Sequence, residues 1–274
     1  MNIIGSIDGL EMGSIVPNSI VNADCLGAMR LIPDKSIDAI ICDLPYGITA
    51  CKWDTVIPFD LLWEQYKRII KPNGAIALFG SQPFTSALVM SNPKWFKYEW
   101  IWEKSHSRGF LNAWRQPMRK HESICVFSKK QSIYNPILSK KKLENIRPIS
   151  GRTPSAQYGH FLSNSKEARK CPKDRSMPSS ILFFNSESGN TPHPTQKPVA
   201  LIEYLLKTYT IEGELVLDNT AGSGTLAIAA INTNRRYICI EKDPDYFEVM
   251  RNRIENHDPN APIKTKKTKS VAKD

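Results

Sequence analysis

A chain of 274 residues, 41% hydrophobic and 23% charged, has the balance of a globular protein and can bury one large core or two modest ones. No run approaches the roughly 20 apolar residues of a membrane span, and the N-terminus lacks a basic start followed by an apolar block, so a cytoplasmic protein is expected. The formal charge of +10 is concentrated: residues 129–175 hold twelve Lys/Arg against three acidic residues, and residues 264–274 hold five lysines against one aspartate.

That clustering suits a polyanion, most simply nucleic acid. A solvated basic loop without a partner is the plainer alternative. The six cysteines (Cys25, Cys42, Cys51, Cys125, Cys171, Cys239) show neither CxxC nor Cys/His clustering, which suggests no zinc site and no disulfide framework.

Residues 1–19 carry no clear pattern and read as a loose arm. Residues 20–24 read as a short strand ending in an acid, followed by a small helix through Leu26, Met29 and Leu31. After the turn Asp34-Lys35-Ser36, the β-branched run 37–42 reads as a buried strand leading into Asp43-Leu44-Pro45-Tyr46-Gly47. Open α/β sheets hold ligands at that edge. Pro45 fixes the local φ and Gly47 permits an abrupt change of direction. Tyr46 is then placed to lie against a planar ring whose polar edge Asp43 hydrogen-bonds. A strand-end turn with a capping Asp and a packed Tyr is the structural alternative.

Beyond a loop containing Cys51, Lys52, Trp53 and Asp54, residues 58–72 form an amphipathic helix with Phe59, Leu62, Trp63, Tyr66, Ile69 and Ile70 on its apolar stripe, stopped by Asn73-Gly74. A buried strand over 75–79, a helix over 83–90 and strands over 98–103 and 123–127 follow. Residues 106–120, rich in Arg, Lys, Trp and Phe without period, read as a long loop near the ligand edge. From about 129 to 190 the pattern dissolves into Ser, Pro, Asn and basic residues, an insertion rather than a core element. Order returns at 191–198, where Pro198 opens a helix through Leu201, Ile202, Leu205, Leu206 and Tyr209. A strand over 214–218, a helix over 223–231, a strand over 237–240 and a helix over 244–256 complete the chain, and the lysine tail beyond Asn260 is expected to be disordered. This alternation predicts an α/β fold with a mostly parallel, doubly wound sheet.

A second site lies between a strand and a helix at Leu217-Asp218-Asn219-Thr220-Ala221-Gly222-Ser223-Gly224-Thr225. Its glycines let the backbone approach a ligand and leave the helix N-terminus open, while Glu241 ends the next strand where a carboxylate can accept from a ribose diol. An adenosine-containing cofactor follows. The spacing Gly222-x-Gly224-x-x-Ala227 with Glu241 also satisfies the NAD fingerprint, so the motif alone leaves both cofactors open, with a purely structural turn as a third reading.

Taken together, Asp-Leu-Pro-Tyr after a strand, the downstream Asp-x-x-x-Gly-x-Gly-Thr, and His193-Pro194-Thr195-Gln196-Lys197-Pro198 just ahead of it resemble the DNA amino-methyltransferases of the β arrangement. The resemblance runs from about Asn22 to Arg253, with only the basic segment unmatched. It implies a Rossmann-like methyltransferase fold with circularly permuted motif order, S-adenosyl-L-methionine as cofactor, and methyl transfer to the N6 amine of a flipped adenine in double-stranded DNA. It makes Asp43, Leu44, Pro45 and Tyr46 catalytic, and assigns Asp218, Gly222, Gly224, Thr225 and Glu241 to the cofactor, with Asp24 at its adenine end and Thr195, Gln196 and Lys197 at its methionine end; a helix cap is the structural alternative for Asp24 and for Thr195–Lys197. The implied division is a catalytic half over 20–128, a target-recognition insertion over 129–190, a cofactor half over 191–257 and the tail over 258–274.

Two departures stand out: Leu44 replaces the family's first proline, which loosens the loop, and Asn219-Thr220 replaces Pro-Phe, which removes an aromatic cover from the cofactor. Asp at the head of the catalytic motif favours adenine over cytosine N4 within the family. Methylation at cytosine C5 would need a nucleophilic Pro-Cys pair, which the sequence lacks. RNA as substrate, an NAD-dependent oxidoreductase and a non-catalytic nucleic-acid-binding protein remain the alternatives. A homodimer and a restriction endonuclease partner are both compatible with the resemblance.

Overall fold

The computed structural model describes residues 1–48, 54–141, 171–186 and 196–259. Its strands are β1 (Asn2–Ile4), β2 (Ser19–Asn22), β3 (Ile37–Cys42), β4 (Ile70–Gly80), β5 (Phe96–Arg108), β6 (Arg119–Phe127), β7 (Ser139–Lys140), β8 (Arg175–Ser176), β9 (Ile181–Phe184), β10 (Leu215–Asp218) and β11 (Arg236–Glu241). The helices are α1 (Cys25–Arg30), α2 (Phe59–Ile69), α3 (Phe84–Ser91), α4 (Val199–Tyr209), α5 (Thr225–Asn232) and α6 (Pro244–Glu255). Among the described residues, nine strands form one sheet in the order β1-β2-β11-β10-β3-β4-β6-β5-β9, and within it β6 alone runs against the others.

All six residues of β3 are buried, as a central strand covered on both faces requires. Ala39 and Ile41 face one apolar cluster with Leu201 and Leu205 of α4, Leu226 of α5 and Met250 of α6. Ile40 and Cys42 face the other, with Met29 of α1, Leu62 and Tyr66 of α2 and Leu88 of α3. The sheet is therefore doubly wound, as the alternation predicts. Because β2, β3, β10 and β11 are parallel, Asp24, Asp43, Asp218 and Glu241 all emerge at the same carboxyl edge, where an open α/β sheet binds ligands.

Four expectations change. Residues 1–19 are not a loose arm: β1 pairs with β2 at the sheet's margin and Ile15 is buried. A three-residue edge strand buries too little to print a period. Helix α2 ends at Ile69, not at Asn73-Gly74, and β4 begins at once. Gly74 sits so close to β3 that an added Cβ would lie 2.7 Å from the Asp38 carbonyl oxygen, so it serves strand packing and not helix termination. Residues 106–120 continue β5 and β6 as a hairpin arm, paired as far as Arg108 and Arg119. Neither face of that arm meets the core, so no apolar alternation marks it. Finally, β9 lies inside the segment expected to be an insertion, yet it pairs with β5 at the far margin of the sheet. In the same segment, β7 and β8 form a separate two-stranded ladder. The lysine tail lies outside the described residues.

Candidate active site

The Asp43–Gly47 loop is held by a residue the sequence reading did not single out. The buried carboxylate of Asp54 accepts from three successive amides, Tyr46 N at 2.7 Å, Gly47 N at 2.8 Å and Ile48 N at 3.0 Å. Leu44 is itself buried. The expected loosening from Leu44 is therefore offset: a carboxylate clamped by three amides fixes the backbone that a second proline would otherwise stiffen. The Tyr46 hydroxyl donates to Asp43 Oδ1 at 2.6 Å, and its ring stacks on Phe84 at 4.9 Å between centroids and 29° between planes. One face of Tyr46 is thus taken, and the residue also lines the cavity onto which this loop opens. Burial, together with the Asp43 charge, pushes the phenol well above its usual range and keeps it neutral.

Lys197 meets this loop from the other half of the chain. Its Nζ donates to Asp43 Oδ2 and lies 3.4 Å from Glu122 Oε2, while Glu122 Oε1 is paired with Lys104. Burial acts to lower the Lys197 pKa, but the carboxylates of Asp43 and Glu122 outweigh it and hold the ammonium above its ordinary value. Burial acts to raise Glu122, and Lys197 with Lys104 reverses that, holding it below the usual carboxylate range. The result is a charged row, Asp43–Lys197–Glu122–Lys104, in which both Asp43 oxygens are engaged. Glu122 and Lys104 come from β6 and β5, where each is one of several polar residues, so nothing in the local sequence marks them out.

The second loop is equally ordered. Asp218 accepts from Thr220 N at 3.1 Å, and burial pushes its carboxyl up to about 7. Glu241 accepts from Gly222 N at 2.7 Å and from Asp243 N at 2.8 Å, and burial raises it as well. Gly224 is left-handed at φ +76°, and an added Cβ would stand 2.6 Å from Met250 Cγ, so both backbone conformation and the approach of α6 require glycine there. Thr225 opens α5 and accepts from Arg253 Nη1 at 3.1 Å. Gln196 Oε1 accepts from Ser223 Oγ at 3.0 Å. Asp24 caps α1, accepting from Leu26 N at 3.0 Å, and its carboxylate lies 3.3 Å from Lys242 Nζ. Thr195 lies outside the described residues.

Asn219-Thr220 join the two loops. Thr220 Oγ1 donates to the Asp43 carbonyl oxygen at 3.1 Å. Asn219 Oδ1 accepts from Tyr66 OH at 2.6 Å and Cys42 Sγ at 2.8 Å, and Asn219 N donates to Cys42 Sγ at 3.2 Å. Where the family pattern has an aromatic cover, this chain has a polar latch between the ends of β3 and β10.

Both loops open on one cavity of about 900 Å³, lined by Asp43 and Tyr46 at one side, Gly222 and Glu241 at the other, with Lys197 and Asp24 on its wall. This is the upper part of the range for small-molecule sites. It has room for a nucleoside cofactor and a planar base together.

The model of a DNA methylase family that acts on N6 or N4 amines matches residues 37–252. The Type II methyltransferase M.HpaI of Haemophilus parainfluenzae is 26% identical over 254 residues, covering 86% of this chain and 74% of its own. Among solved structures, the M1.HpyAVI–SAM complex superposes with a TM-score of 0.57 at 24% identity, covering 86% of this chain and 98% of that one. The PvuII cytosine-N4-specific DNA methyltransferase superposes with a TM-score of 0.62 at 14% identity, covering 95% and 90%. At these identities the two structures speak for a shared fold.

Proposed function

The chain belongs to the N6/N4 DNA methylase family, and from that premise we propose that it transfers the methyl group of S-adenosyl-L-methionine to the N6 amine of an adenine turned out of double-stranded DNA. The observation that carries this reading is the convergence of Asp43-Leu44-Pro45-Tyr46 and the Gly222–Gly224 loop on one cavity.

The cofactor side suits the proposed group. Glu241 ends β11 with a carboxylate able to accept from a ribose diol, Gly222 and Gly224 keep side chains out of the loop, and Thr225, Asp218, Gln196 and Asp24 supply polar groups around it. Bound there, S-adenosyl-L-methionine supplies an electrophilic methyl group on a positively charged sulfur.

An exocyclic amine is a poor nucleophile because its lone pair is delocalised into the ring. Asp43 and the Leu44 carbonyl, by accepting its two N–H groups, favour a pyramidal nitrogen with its lone pair directed away from the ring. Pro45 keeps these two acceptors in fixed relation, and Tyr46, which lines the cavity, stacks the base. The work done by the protein is positioning and charge complementarity, with no covalent enzyme intermediate. For the amine to reach Asp43, one oxygen must be released, and Glu122 offers Lys197 an alternative carboxylate at 3.4 Å. Extrusion of the base from the stack costs a few kcal/mol. The basic residues of 129–190, the proposed target-recognition segment, hold backbone phosphates.

Cytosine N4 presents the same amino geometry and is the second reading, since the matching family embraces both N6 and N4 enzymes. Transfer of tritium from labelled cofactor to unmethylated genomic DNA, followed by digestion to nucleosides, decides it. Label in N6-methyladenine is the expected result; label in N4-methylcytosine overturns the adenine assignment.

A further inference from the structure

Beyond Glu103 and Glu122, β5 and β6 leave the sheet as a two-stranded arm that closes through a turn opened by Gly109 at φ +91°. The turn is hydrogen-bonded, with Asn112 N to Gly109 O at 3.0 Å, Ala113 N to Phe110 O at 3.0 Å and Arg115 N to Asn112 O at 2.9 Å. On this ordered tip Phe110, Leu111 and Trp114 are 76%, 96% and 99% exposed, whereas Trp63, Trp100 and Trp102 are each 3% exposed. A single exposed apolar side chain needs no account. Three within five residues, displayed by an ordered turn, form a surface built to enter something.

Charge selects the partner. Residues 104–121 contain five Lys/Arg and no acidic residue, and Arg108, Arg115 and Arg119 stand exposed around the apolar group. The arm also springs from the mouth of the cavity: Arg108 and Arg119 line it, and Arg119 Nη1 lies 2.5 Å from Ser81 Oγ. At roughly 3.3 Å per residue, Arg119 stands about 10 Å along the strand from Glu122, with the tip just beyond.

We propose that this tip is a duplex-opening wedge: Trp114, backed by Phe110 and Leu111, enters the base stack and fills the space left by the extruded base, while Arg108, Arg115 and Arg119 hold the flanking phosphates. Apolar wedges inserted at base steps are offset by the wider contact that the distorted duplex allows, and basic residues beside them fix the register. The inference rests on the proposed methylation of a flipped base and adds the group that opens the duplex.

The test uses full-length protein and two oligonucleotide duplexes carrying the methylated site once sequencing has mapped it, one fully matched and one with the target base mispaired. Mispairing supplies in advance much of the opening that the wedge provides. Trp114→Ala, and the triple variant with Phe110→Ala and Leu111→Ala, should lose more than about tenfold in kcat/KM on the matched duplex and recover most of it on the mispaired one. Binding of S-adenosylmethionine should be unchanged, which shows that the variants fold. Equal losses on both duplexes, or no loss on either, overturn the wedge. Failure of the unaltered protein to label any DNA would instead overturn the reading on which it rests.

Discussion

Lys197 ties the Asp43 loop to β6 through Glu122. Its side chain is 8% exposed between Asp43, 26% exposed, and Glu122, 13% exposed. Lys197→Met leaves two carboxylates facing one another with one cation fewer, and removal of one member of a buried ionic group costs about 2–4 kcal/mol after allowance for the partial exposure of Asp43. Thermal unfolding should report that loss, and the double variant with Glu122→Gln should recover part of it. Equal instability of single and double variants would contradict the coupling. Asp218 carries a pH signature of the opposite sense to a paired carboxylate. Burial raises it from 3.8 to about 7, so the folded state binds this proton more tightly than the unfolded chain. Its contribution is complete below about 4 and fades as pH rises through about 7. Asp218→Asn should therefore flatten stability between those values in the ligand-free protein; an unchanged pH profile would contradict the assignment.

At the scale of elements, the glycine loop is fixed by α6 as much as by its own sequence. Gly224→Ala meets Met250 Cγ at 2.6 Å and a φ of +76°, and should cost about 2–4 kcal/mol in thermal unfolding. Met250→Ala in the same chain relieves the clash and leaves the backbone strain, so partial rescue is expected; full stability in the single variant would contradict the packing. The same distinction governs what can be read in advance. β3, β10, β11, α2 and α4 are legible because burial on one or both faces imposes period or an unbroken apolar run, and the residues that end those strands carry the recognisable motifs. Asp54, Glu122, Lys104 and Phe84 are not legible because they act across the fold, on the motif loops or the residues that pair with them. Asn219 and Thr220 register in the sequence as departures, while their role as a latch exists only once β3 and β10 lie side by side. The β5–β6 arm escapes because it buries neither face.

For the whole molecule, concentrated positive charge predicts a strong salt dependence. Each neutralised duplex phosphate contributes about 0.9 to the slope of log affinity against log salt. Arg115→Ala should lower the slope measured by fluorescence anisotropy on duplex DNA by about 1, with affinity falling alike for any sequence. An unchanged slope would remove Arg115 from the DNA surface. The fold places the carboxyl ends of β3 and β10, and the start of α4, around one cavity, so residues far apart in the chain act as one centre. The most direct measurement is transfer of the tritiated methyl group to genomic DNA by the unaltered protein and by Asp43→Ala, with binding of the labelled cofactor measured on both. Transfer that falls by at least about a hundredfold in the variant while cofactor binding persists is the predicted result. Undiminished transfer by Asp43→Ala would contradict the role given to Asp43 and with it the proposed chemistry of the site.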